Sequence, residues 1–83
     1  MTNFERQILM SVSVLVDDRF WEAKYWRAKL AIGDGTIEYW TVRDGEREAM
    51  LEEAPPLGES RDPARWAALL EPYVKRTIYN RGW

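Results

Sequence analysis

Eighty-three residues with a net charge of −2, 46% hydrophobic and 31% charged, suit one small globular domain spanning 1–83 and leave no room for a second. The chain has no histidine and no cysteine, which removes the one side chain that titrates near neutrality unperturbed, the thiolate nucleophile and the soft metal ligand. Five tryptophans remain in excess, a residue type enriched where binding energy concentrates, so the composition reads as a binder with no cofactor and not as an enzyme.

The first predicted element is a half-buried strand from Phe4 to Val16, in which Phe4, Ile8, Met10, Val12, Val14 and Val16 take alternate positions around Ser11 and Ser13. Its longest apolar run, Val14 to Val16, is too short for a signal peptide or a membrane span, which favours a cytoplasmic protein. Asp17-Asp18 then reads as a turn. Residues 18 to 32 admit two readings. Trp21, Tyr25, Ala28 and Ile32 keep helical spacing before Gly33, whereas a strand puts Trp26, Ala28, Leu30 and Ile32 on one face and Arg27 and Lys29 on the other. The strand is the better account, because the helix strands Trp26 and Leu30 opposite its apolar stripe.

Asp34-Gly35 predicts a two-residue hairpin turn with positive φ at both positions. Pairing Gly33 with Thr36 then sets Leu30 opposite Tyr39 on a core face, and Lys29 opposite Trp40 on an open one. Asp44-Gly45 marks a second reversal into a polar edge strand, Glu46 to Leu51, and Pro55-Pro56-Leu57-Gly58 ends the sheet. Asp62-Pro63 caps a helix whose stripe is Trp66, Leu69, Leu70, Tyr73, Val74, Thr77 and Ile78, with a kink expected at Pro72 and a stop at Gly82. The resulting fold class is α+β: a four-stranded antiparallel β-meander followed by one kinked C-terminal helix packed on the sheet. A βαββα arrangement is the alternative.

Ser11 and Ser13 lack a base to activate them, and Asp44, Glu46 and Glu48 fit a polar edge strand better than a cation site. Tyr25, Arg27, Lys29 and Trp40 form the candidate partner-binding set, an aromatic anchor flanked by cations on the open side of the sheet. Trp83 is either a pinned tail or an aromatic hook. These features fit a non-catalytic protein-binding module, a small regulatory, inhibitory or assembly protein that acts through an exposed sheet face, compatible with a homodimer and with an inhibitor encoded by a phage or mobile element. The alternative is single-stranded nucleic-acid binding through the same four residues. Glu38-Tyr39-Trp40 followed by Pro63-Ala64-Arg65-Trp66 resembles the single-stranded DNA-binding transcriptional coactivators, and PUR-type repeats share the sheet-then-helix order. That resemblance implies a sheet face that binds single strands.

Overall fold

A computed structural model describes residues 5–83, so Phe4 lies outside the described residues. Strands β1 (Arg6–Val16), β2 (Arg19–Lys29), β3 (Thr36–Asp44) and β4 (Arg47–Met50) form one antiparallel sheet in the order β1-β2-β3-β4, and helix α1 (Pro63–Arg81) follows. This is the expected α+β meander, with a strand and not a helix in the ambiguous segment.

The β1–β2 turn sets the faces of the sheet. Asp17 (φ 49°) and Asp18 (φ 66°) are both left-handed, as a two-residue hairpin whose twist matches its strands requires. Short acidic side chains tolerate that region better than most. Asp18→Gly is therefore expected to stabilise the domain by about 0.5–1 kcal/mol, since glycine takes positive φ without steric cost. Asp17 should be kept, because it accepts a hydrogen bond from the Tyr79 hydroxyl. The measurement is the urea midpoint, which should rise at constant m-value; a lower midpoint would show that the Asp18 carboxylate contributes more than its backbone costs.

With Val16 opposite Arg19, Val14 meets Trp21, Val12 meets Ala23 and Met10 meets Tyr25. Beyond β2, Tyr25 pairs with Trp40 and Ala23 with Val42 on β3, and Val42 pairs with Ala49 on β4. All of these apolar side chains are buried on one side of the sheet, and α1 lays Trp66, Leu70, Val74 and Ile78 against that side. Trp40 lies between Tyr25 (ring centroids 4.9 Å) and Trp66 (5.2 Å), and its Nε1 donates to the Pro55 carbonyl at 3.0 Å. The segment after β4, turned by Glu53 at φ 64°, thus completes the cover that α1 begins.

The helix is delimited as its sequence implies. Asp62 accepts from the Ala64 amide, Pro63 opens the first turn, and Gly82 (φ 69°) closes the last with its amide bonded back to Tyr79. The helix runs unbroken past Pro72, which lies exposed on its outer side. Leu69, expected in the stripe, is instead 44% exposed, whereas Leu70 is fully buried. The Trp83 amide donates to the Ile78 carbonyl and its ring stacks on Trp21 at 6.3 Å, so Trp83 is a pinned tail.

Two expectations about β2 and β3 are corrected. The connection is a six-residue loop, Leu30 to Gly35, closed by the Leu30 amide on the Gly35 carbonyl at 2.9 Å, with positive φ at Gly33 (82°) and not at Asp34-Gly35. Lys29, not Gly33, consequently pairs with Thr36, and Trp40 pairs with Tyr25 instead of Lys29. The slip is an even number of residues, so each side chain keeps its neighbours' face. Which face α1 covers is the reverse of the expectation: Trp40 is core, and Tyr39 lies on the open side with Trp26.

Candidate interaction face

The open side of the sheet is not uniformly polar, because β2 changes its apolar side part-way along. Trp21, Ala23 and Tyr25 point to α1, but Trp26 and Ala28, also buried, point away from it. A bulge at Leu9 makes the matching change in β1: Ile8 pairs with Trp26 and Arg6 with Ala28, one residue out of phase with the valines that follow. Two rows therefore cross three strands on the open face, Ile8–Trp26–Tyr39 and Arg6–Ala28–Ile37.

Trp26 is the centre of this patch. Its Nε1 donates to Thr41 Oγ1 at 2.8 Å, satisfying the one polar atom of a buried ring. The Arg6 guanidinium stacks 3.6 Å above the ring centroid and forms a two-point ion pair with Glu48, at 3.1 Å for each contact. Hydrogen bonding to Glu48 raises the Arg6 pKa further, so its charge is permanent. For Glu48, burial pushes the carboxyl up, but hydrogen bonds from Arg6 and Thr41 and the nearby cations outweigh it and hold the group below the usual range. Trp26 is thus held from two directions, by Thr41 at its ring nitrogen and by Arg6 over its ring face, and Glu48 fixes the orientation of Arg6.

Beside the ring, Lys24 pairs with Glu22 at 3.3 Å, and the two line a depression of about 210 Å³ with Arg6, Arg43 and Glu48. That volume is below the roughly 300–1,000 Å³ typical of small-molecule pockets. Around it lie exposed apolar side chains: Ile8, Ile37 and Met50 near Trp26, and Leu15 paired with Phe20, 68% exposed, towards the β1–β2 turn. The face as a whole is a fixed Trp–Arg centre with an interrupted apolar surround and ion-paired charges.

The candidate partner-binding residues are divided by the structure. Tyr25 and Trp40 are each 1% exposed beneath α1 and Pro55, which takes both out of reach of a partner of the folded chain. Burial also raises the Tyr25 hydroxyl pKa. Arg27 and Lys29 are exposed on the same side, beyond the cover of the helix, where Arg27 pairs with Glu38 at 3.1 Å. The four do not form one site. The residues missed are Arg6, Thr41 and Glu48 around Trp26; the signal for them was the apolar alternation Trp26, Ala28 set against Ile37, Tyr39, which needs an open-face assignment to be read.

The alternating carboxylates do not converge. Asp44 is bonded to Arg19 and Arg47, which hold its pKa low, and Glu48 is bonded to Arg6. Among the described residues no group of three His, Cys, Asp or Glu is placed to hold a metal ion, and no helix is long and apolar enough to cross a membrane. Compared with protein-family models, curated proteins and solved structures, the chain matches none of them.

Proposed function

We propose that the chain is a non-catalytic protein-binding module that docks a partner through the open face of its sheet. The carrying observation is the Trp26–Arg6 centre, braced by Thr41 and Glu48 and surrounded by exposed Ile8, Ile37 and Met50. Tryptophan and arginine are the residue types most enriched in binding hot spots, and a side chain already immobilised loses little entropy on docking. The inventory of reactive groups supports the same reading: no histidine or cysteine is available, and the carboxylates of Asp44 and Glu48, whose pKa values are lowered, are held in ion pairs with arginines. A small regulatory or inhibitory subunit has this character. The nucleic-acid reading loses its two stacking residues to the core, and Arg6, Lys24 and Arg27 are each paired with a carboxylate.

The test uses capture of partners from cells of the native source, with matched variants. Ile37→Asp and Met50→Asp, both at exposed positions, should leave folding intact and weaken retention of a specific partner by about tenfold or more. Arg65→Glu, exposed on the helix, should not. A partner lost with Arg65→Glu but kept with both open-face variants would overturn the proposal. Retention that falls steeply with salt and requires nucleic acid would favour the alternative.

A further inference from the structure

The two edges of the sheet are built differently. β4 is four residues long and carries Arg47 and Glu48, the short, charged kind of edge that resists pairing with another chain. β1 has eleven residues, and from Gln7 to Val16 it contains no charge, proline or glycine. Among the described residues nothing pairs with its outer side, so a row of backbone donors and acceptors is unmatched there. The one protective device on β1 is the bulge at Leu9, close to its start.

We infer that the outer edge of β1 pairs with the same edge of a second copy of this chain, giving an eight-stranded sheet about a twofold axis. This surface is separate from the open face and does not depend on that reading. The regular stretch between the bulge and the turn is Met10 to Val16, and an antiparallel match of that stretch with itself has its centre at Ser13. Ser13 then meets Ser13, Val12 meets Val14, Ser11 meets Leu15 and Met10 meets Val16. Each pair joins residues of one face, so the valine side of both copies stays under the helices, and no like charges oppose each other.

The helix supplies complementary charge. Trp66 stacks on Trp40 beside Tyr25, which pairs with Met10, and Tyr79 bonds Asp17 after the end of β1, so α1 runs alongside β1 in the same direction. The flank of α1 towards β4 is marked by Arg76, which donates to the Glu52 carbonyl. The opposite flank carries Glu71, Lys75 and Tyr79 at four-residue spacing, a single row along the β1 edge. A twofold through Ser13 sets these rows antiparallel, with the Glu71 of each copy towards the Lys75 of the other.

The test is mass in solution across a concentration series, together with two substitutions at Ser13, which is exposed and pairs with Glu22. The wild type should show a concentration-dependent species at twice the 9.8 kDa chain mass. Ser13→Lys puts like charges at the centre and should weaken association by about tenfold or more while circular dichroism stays native. Ser13→Cys should cross-link under mild oxidation and Ser11→Cys should not, because only position 13 meets its own copy. A wild type that stays monomeric at every concentration would overturn the inference. A dimer that survives Ser13→Lys, or one in which Ser13→Cys fails to cross-link, would overturn it equally.

Discussion

Trp40→Ala is expected to destabilise the domain by about 3–5 kcal/mol, the usual loss when a large buried aromatic is truncated. Total stability for a chain of this length is on the order of 4–12 kcal/mol, so the variant should melt far below the wild type or fail to fold. Three effects combine at this residue. Its ring, 1% exposed, packs at once on Tyr25 and Trp66, and its Nε1 ties the Pro55 carbonyl, and with it the segment that closes the core, to β3. Truncation opens a cavity in the centre of the domain and releases that segment. Tyr39→Ala, one position earlier on the open face and only half-buried, should cost much less. The check is a pair of chemical denaturation curves. If Trp40→Ala were silent and Tyr39→Ala unfolded the chain, α1 would have to lie on the other side of the sheet.

Leu70→Asp is expected to abolish cooperative folding, and Leu69→Asp to leave it nearly unchanged. The two leucines are neighbours in one helix and both fit the apolar spacing of the sequence. Leu70 has no exposed surface and sits among the core residues of the sheet, where an unpaired carboxylate would have to be desolvated or protonated at a cost comparable with the whole stability of the domain. Leu69 is 44% exposed, and a carboxylate there stays hydrated. Thermal unfolding followed by circular dichroism separates the outcomes. A cooperative native transition in Leu70→Asp would remove α1 as the cover of the sheet.

Local sequence was sufficient for β1, the first turn and the limits of the helix, but not for the loop between β2 and β3, where Asp34-Gly35 pointed to a two-residue turn that does not form. Alternating valines between serines make β1, Asp17-Asp18 a tight turn, and Asp62-Pro63 and Gly82 the limits of a helix, because each signal acts over a few residues. The pairing of β1 with β2 was within reach too. A two-residue turn sets Val16 against Arg19, hence Val14 against Trp21 and Val12 against Ala23, which puts Trp21, Ala23 and Tyr25 on the valine side. Only the tertiary structure decided which aromatic residues are core and which belong to the candidate site. β2 has apolar residues on both sides, Tyr25 facing α1 and Trp26 facing away, so its own pattern does not say which side is covered. The even slip produced by the Leu30–Gly35 loop left the grouping of residues by face unchanged, so register alone did not expose the reversal. What resolves it is the area of sheet that α1 and the segment around Pro55 can cover. Their cover takes in Tyr25 and Trp40 and stops short of Arg27 and Lys29 on the same side, while Arg6, brought across by the bulge at Leu9, lies over Trp26 on the other.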